Sequence, residues 1–125
     1  MRRILTSVAL VVLLLNPTAA VSADFQKGMD AAQRGDYTTA LREWTPLAEQ
    51  GHDSVQYNLC MMYAAGRGVP QDYVYAHMWG NIAVFIGGKD KGKVRDFVAK
   101  KMTPADISAA QKLARECVEK NYKGC

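Results

Sequence analysis

Residues 25–87 contain two copies of one pattern at an interval of 36 residues, and this internal repeat restricts the fold more than any other feature of the chain. The pairs that match at this offset include Asp36 with Asp72, Tyr37 with Tyr73, Ala40 with Ala76 and Gly51 with Gly87. Each copy also has one tryptophan, Trp44 or Trp79, although the two are one position out of register. A period of this length accommodates two helices per unit, and such units stack because neither can bury its apolar face alone.

The spacing of apolar residues and the helix-stop signals divide the chain into about six helical segments. Helices are predicted at residues 25–34, 37–50, 54–65, 71–86 and 93–101, with a sixth that starts at Thr103. Gly51 is suited to end the second helix in the left-handed conformation, and Thr103-Pro104 combines a cap with a first-turn proline. The fold class is therefore all-α, a short α-solenoid of antiparallel helix pairs, with repeats at residues 25–51 and 53–87 and a terminal helix pair at 93–120.

The third and fourth predicted helices are apolar on more than one face. The third has one stripe of Val55, Leu59, Met62 and Tyr63 and a second of Tyr57, Met61 and Ala64, which predicts that it is packed on two sides. In the fourth helix, small or flat residues around Gly80 would let another helix come close. Its other apolar face is formed by Tyr75, Trp79, Ile82 and Ile86.

The first 23 residues have the three parts of a secretory signal peptide. Two arginines form a basic start, residues 4–15 are mostly apolar, and Val21-Ser22-Ala23 presents small residues where a signal peptidase cuts. This apolar stretch is shorter than the roughly 20 residues needed to span a bilayer. We therefore expect residues 1–23 to be removed and residues 24–125 to form a periplasmic or secreted domain without a membrane span.

The expected mature chain has little net charge. The full chain has a formal charge of +4, and the leader contains two arginines and no acidic residue, so +2 remains. A balance this close to neutral gives little support for nucleic-acid binding. A basic cluster does occur at Lys89, Lys91, Lys93 and Arg95, beside Asp90 and Asp96. The loop from Lys89 to Lys93 is interpreted as solvated, with contact to anionic envelope material as the alternative.

A family resemblance lies in residues 59–73, LCMMYAAGRGVPQDY, together with Ala76, Trp79 and Ala83. This run closely resembles the Sel1-like repeat, in which Leu-Gly-x-x-Tyr leads into a Gly-x-Gly-Val turn and then into aspartate, alanine and tryptophan. Residues 35–44 look like a half-formed copy in the tetratricopeptide style, and the segment from Met102 resembles the end of many exported Sel1-like proteins. Cys60 departs from the family because it stands where glycine usually lets two helices approach. Cysteine is small enough to fit, but we expect it to widen the pair slightly.

The resemblance implies antiparallel helix pairs in a right-handed superhelix that acts as an adaptor. The expected function is therefore a non-catalytic protein–protein interaction scaffold in the bacterial envelope or outside the cell, with another protein as partner and no cofactor. In this architecture the first helix of each pair usually lines the concave face, which makes Gln56, Asn58 and Met61 the candidate contact residues. Self-association with further copies of the chain is an alternative.

No residue pattern for catalysis or metal binding emerges from the sequence. His52 and His77 have no partner at metal-ligand spacing, and the serines of the mature chain lie outside a nucleophile elbow. Cys60 and His77 could in principle act as nucleophile and base, but Cys60 lies among apolar helix residues, where burial makes a thiol inert. The alternative function, an envelope enzyme or enzyme modulator acting on cell-wall material, rests on no identified residue.

The mature chain has three cysteines, Cys60, Cys117 and Cys125. Export implies a compartment where a disulfide persists, and an odd count leaves at least one thiol unpaired within the chain. A Cys117–Cys125 bond is predicted because Asn121 and Gly124 can adopt turn conformations that fold the tail back, which would leave Cys60 free and buried. The competing pairing, Cys60–Cys117, would join the middle repeat to the last helix.

Overall fold

The computed structural model describes residues 23–125, so the predicted signal peptide lies outside the described residues except for Ala23. Its helices are α1 (Phe25–Gln33), α2 (Tyr37–Glu49), α3 (Asp53–Ala65), α4 (Tyr73–Gly87), α5 (Lys93–Ala99) and α6 (Pro104–Glu119). A short 3-10 turn, Lys89–Gly92, precedes α5. No strand occurs between residues 23 and 125, and the predicted all-α fold is confirmed.

Side-chain caps set where five of the six helices begin. In each case the capping side chain accepts a hydrogen bond from the backbone N–H three residues ahead, and the caps are Asp24, Asp36, His52, Asp72 and Thr103. The predicted cap of α6 is confirmed, with Thr103 Oγ1 at 3.1 Å from the amide nitrogen of Asp106. Gly51, which follows α2, has the left-handed φ of +86° that its position predicts.

Helix α4 is the centre of the fold. α1 packs on α2 and α3 packs on α4, as the repeats predict, and α2 also contacts α3. α5 and α6 make their main contacts with α4 and few with each other. The terminal segment is therefore built differently from a repeat, because its two helices pack on a shared neighbour instead of on one another. α4 buries residues 76–80 in an unbroken run.

Both repeats use a glycine to bring their two helices together. In the first repeat, Gly28 of α1 lies directly against the ring of Trp44, where an added Cβ would overlap the indole. In the second, Gly80 of α4 faces both Cys60 of α3 and Arg95 of α5, and a Cβ there would lie 3.2 Å from the Cys60 sulfur and 2.7 Å from the Arg95 Cβ. The cysteine at the usual glycine position is thus accommodated because the facing helix provides the space.

Two residues of α4 lie elsewhere than their spacing predicts. Because His77 shares a helix face with Asn81, its spacing predicts a polar edge. His77 is nevertheless only 4% exposed, because α5 packs over this side of α4 and brings Arg95 to Asn81. Ile86, assigned to the packed face with Trp79, is 39% exposed. It lies in the last turn of α4, where the chain turns away at Gly88.

The C-terminal tail fastens α6 to the first repeat. The predicted Cys117–Cys125 disulfide is present, with Cα atoms 5.7 Å apart, and Cys60 is the free, buried thiol. The ring of Tyr122 lies beside Gly51, and Lys123 Nζ donates a hydrogen bond of 3.2 Å to the backbone oxygen of Glu49. The tail therefore closes over the end of α2, a contact that the sequence did not predict.

Candidate protein-binding cleft

A cleft of about 270 Å³ lies between α1 and α3, with part of α2 as its floor. Its lining residues are Met29, Ala32, Gln33, Tyr37, Trp44, Asn58, Met61, Met62 and Arg67. Three of these are methionines, whose unbranched and polarisable side chains adapt to partners of different shape. The cleft therefore combines an adaptable apolar wall with a small number of polar groups.

The floor of the cleft is rigid because Trp44 is held from two directions. The indole is 3% exposed, and its Nε1 donates a hydrogen bond of 3.2 Å to the backbone oxygen of Phe25. Gly28 lets α1 come into contact with the ring. On the walls, Asn58 Nδ2 lies 3.9 Å from the sulfur of Met29, so α1 and α3 meet across the cleft through this pair.

Arg67 places a positive charge at the rim. It lies in the turn after α3, between Gly66 and Gly68, which have φ values of +68° and +73°. Gly68 packs against Tyr37, where an added Cβ would approach the Tyr37 Cβ to 2.9 Å. This close contact brings the Arg67 guanidinium to 5.4 Å from the centroid of the Tyr37 ring, a distance at which a cation–π attraction holds it in place.

The structure brings two of the three candidate contact residues to the cleft. Asn58 and Met61 line it, and Met61 is 39% exposed. Gln56 is fully buried, and its Nε2 donates a hydrogen bond of 3.0 Å to the backbone oxygen of Ala48 in α2. The choice of Gln56 as a contact residue is therefore wrong, because this residue faces α2, the second helix of the first repeat.

The second apolar stripe of α3 is only partly packed. Ala64 packs against the core and Tyr57 is half-buried, whereas Met61 is exposed and lines the cleft. Spacing alone could not show this, because a stripe that lines a cleft has the same periodicity as one that lines a core. Arg67 and Met29 were missed for a different reason, since only the folded turn and α1 bring them to Met61.

The pair of Cys60 and His77 has the properties of core residues. Burial raises the pKa of the Cys60 thiol to about 12, so the nucleophilic thiolate is not populated at neutral pH. Burial also lowers the pKa of His77, and the positive charge of Arg95 lowers it further. Arg95 donates to Asn81 Oδ1 at 3.3 Å, and Asn81 Nδ2 lies 2.9 Å from His77 Nδ1. Because the Asn81 amide oxygen already accepts from Arg95, its nitrogen donates to His77 Nδ1, an arrangement that places the proton of the neutral imidazole on Nε2.

The basic loop is partly engaged within the fold. Lys91 Nζ lies 3.9 Å from Asp53 Oδ2 and 3.4 Å from Ser54 Oγ, and it also lies 5.6 Å from the centre of the Tyr57 ring. Lys89 and Lys93 are exposed. Between residues 23 and 125, no group of three His, Cys, Asp or Glu residues is placed to hold a metal ion. Within the same range, no helix is both long and apolar enough to cross a bilayer.

Comparison with known proteins assigns the fold. No protein-family model matches the sequence, and no curated protein matches it. The structure is similar to the crystal structure of a protective antigen present in uropathogenic Escherichia coli strains, which displays a Sel1-like repeat fold. The TM-score is 0.71, the sequence identity is 26%, and the match covers 83% of this chain. This chain has the Sel1-like repeat fold.

The Sel1-like repeat fold that the sequence motif of residues 59–73 suggested is thereby confirmed. The matched region covers 25% of the length of the antigen, so this chain corresponds to about a quarter of that protein. What the two share is the stacking of helix pairs that, in this chain, forms the cleft between α1 and α3.

Proposed function

We propose that the chain is a non-catalytic scaffold that binds a segment of another protein in the cleft between α1 and α3, in the bacterial periplasm or outside the cell. The observation that carries this proposal is the composition of the cleft. It exposes Met61 next to Met29 and presents Asn58 and Arg67 at its walls and rim. The Sel1-like repeat fold supports the same function, since its repeats commonly act as interaction scaffolds.

A polypeptide segment fits the chemistry of this cleft. An apolar side chain would insert between the methionines and be removed from water, which is the main favourable term in association. The amides of Asn58 and Gln33 would hydrogen-bond the backbone of the segment. A carboxylate would pair with Arg67, because no acidic residue lines the cleft to neutralise it. We therefore expect the bound segment to contain an apolar residue near an acidic one.

Two observations support export of the chain. A disulfide such as Cys117–Cys125 persists in the oxidising conditions outside the cytoplasm. The backbone nitrogen of Asp24 lies 3.3 Å from Glu43 Oε2, so cleavage after Ala23 would create an ammonium group that pairs with this carboxylate. Intact-mass analysis of the exported protein tests the site, and a mature species that retains residues 1–23 would contradict the proposal.

Binding is tested by two variants at residues of equal exposure. Met61 and Ile86 are both 39% exposed, but only Met61 lines the cleft. Residues 24–125, with either Met61→Lys or Ile86→Lys, are cross-linked to envelope extract and the captured proteins are quantified by mass spectrometry. We expect a partner that the wild type and Ile86→Lys capture equally and that Met61→Lys loses. Capture that Met61→Lys leaves unchanged would exclude the cleft as the binding site.

A further inference from the structure

A second and larger groove, of about 450 Å³, lies between α4 and α6. Its lining residues are Asn81, Ile82, Phe85, Gln111, Ala114, Arg115, Val118 and Glu119. None of these residues lines the cleft between α1 and α3, so the two surfaces are separate. The floor is apolar, because Ile82 and Ala114 are buried and Val118 is half-buried.

One wall of this groove is an exposed aromatic ring. Phe85 is 75% exposed. Among residues 23–125 this is the largest exposed fraction of the large apolar side chains that lie in solvent, which are Met61, Phe85, Ile86 and Phe97. Contact between a phenylalanine ring and water is unfavourable, and burial of the ring in a complementary groove lowers the free energy. The ring stands beside an apolar floor that its own side chain leaves open, so a partner that buries Phe85 would also cover this floor.

The charged residues at this groove match each other. Arg115 and Glu119 lie one turn apart on α6, both exposed and both lining the groove. Neither forms an ion pair within residues 23–125, although Lys112 and Glu116 do so on the same helix at 3.9 Å. Such a pair is complementary to an identical pair that faces it in the opposite direction, because each arginine then meets a glutamate.

We propose that the groove between α4 and α6 is a two-fold interface with a second copy of this chain. A two-fold axis between Arg115 and Glu119 pairs each of these residues with the other one of the second copy, because residues at a two-fold interface contact reciprocally. Because Phe85 lines the same groove as these two residues, the second copy would cover its ring. A partner of single charge would leave either Arg115 or Glu119 unpaired, whereas a second copy pairs both.

The first test is the oligomeric state. Light scattering after size-exclusion chromatography is measured on residues 24–125 from about 1 µM to about 1 mM, the range in which weak dimers populate. We expect the wild type to be a dimer at the highest concentrations. Phe85→Ser raises the dissociation constant about a hundredfold, because the ring is lost at two symmetric sites. Phe97→Ser, at another exposed phenylalanine that does not line the groove, leaves the dissociation constant unchanged.

Charge reversal tests the two-fold arrangement itself. Arg115→Glu and Glu119→Arg each place like charges opposite one another, so each variant alone dimerises about tenfold more weakly. A mixture of the two variants restores the affinity, because each acidic pair then faces a basic pair. Circular dichroism confirms that each variant is folded.

A wild type that stays monomeric over the whole range overturns the proposal. It is also overturned by a dimer that Phe97→Ser weakens and Phe85→Ser does not. Folded charge-reversal variants whose mixture dimerises no better than either one alone would likewise exclude the two-fold pairing.

Discussion

Both repeats have a glycine where their two helices meet, but its position is exchanged between the first helix and the second. The connection within the second repeat, residues 66–72, is four residues longer than residues 34–36 of the first. A shift of 32 therefore aligns α1 with α3 and places Gly28 on Cys60, while a shift of 36 aligns α2 with α4 and places Trp44 on Gly80. The first repeat packs glycine of its first helix against tryptophan, and the second packs cysteine of its first helix against glycine.

This comparison explains why the tryptophans are out of register. Trp44 and Trp79 are not equivalent, because the residue at the position of Trp44 is Gly80. What the repeats share is one glycine where their two helices meet, on the first helix of one repeat and on the second helix of the other, and close packing requires a neighbouring side chain to fill the space that each glycine leaves. A repeat can therefore lose its usual glycine on one helix when the facing helix supplies one.

The largest expected effect follows from the burial of both tryptophans. Trp44→Ala and Trp79→Ala should each lower the free energy of unfolding by roughly 3–5 kcal/mol, because each ring is 3% exposed. Urea denaturation followed by circular dichroism measures both values. A loss below about 1 kcal/mol for either variant would show that the tryptophan does not hold the two helices of its repeat together.

The next largest effect concerns the tail that joins the last helix to the first repeat. Cys117→Ala with Cys125→Ala should lower the free energy of unfolding by about 2–3 kcal/mol, because the bond closes a short loop. Cys60→Ala is the matched control, since it removes a thiol without opening the disulfide. Iodoacetamide should label Cys60 only after unfolding, and labelling of Cys117 or Cys125 in the untreated protein would contradict the assignment.

A smaller effect tests the exchanged contact directly. Gly28→Ala should destabilise by about 1–3 kcal/mol, because its Cβ would overlap the Trp44 ring. In a Trp44→Leu background the same change should cost much less, and a double-mutant cycle measures the coupling. Gln33→Ala, on the exposed side of α1, is the control. Additive effects of Gly28→Ala and Trp44→Leu would show that the two residues do not share one packing space.

The smallest expected effect is a pH dependence that belongs to the second repeat alone. His77 occupies the position that Leu41 has in the first repeat, and burial lowers the pKa of its imidazole. The unfolded chain binds the proton near the usual pKa of about 6.5, before the folded chain does. Protonation of His77 therefore has no effect on stability above this pH, and it lowers the free energy of unfolding as the pH falls below it. His77→Leu should reduce the loss of unfolding free energy between pH 7.5 and pH 5.5, measured by urea denaturation.

His52→Asn is the control for this prediction, because it also removes an imidazole but retains a side-chain acceptor at the cap of α3. An equal loss of pH dependence in both variants would contradict the role of His77.

Much of the fold could be predicted because its signals are local. The cap at Thr103 and the left-handed turn at Gly51 depend on a few neighbouring residues, and both are confirmed. The pairing of Cys117 with Cys125 could be predicted for the same reason, since turn-forming residues lie between them. Asn58 and Met61 lie at the cleft, whereas Gln56 lies on the opposite face of α3, where it is buried against α2.

The groove between α4 and α6 was not predicted, although one signal was present. Five consecutive apolar residues from Ile82 to Ile86 cannot all face inward in a helix, because successive residues point about 100° apart. Phe85 and Ile86 are the two that remain exposed. Which of the five faces solvent depends on where α5 and α6 lie, and the spacing within α4 does not contain this information.

The sequence by itself determined the helices, their approximate ends and the pairing of the repeats, and it favoured the disulfide that is present, because each depends on residues close together in the chain. Only the tertiary structure decided which apolar and polar stripes are surface and which are core. The cleft joins Met29, Asn58 and Arg67 from different elements, and the burial of His77 depends on how α5 docks on α4. Periodicity shows that a helix face is apolar, but whether another helix covers that face depends on residues elsewhere in the sequence.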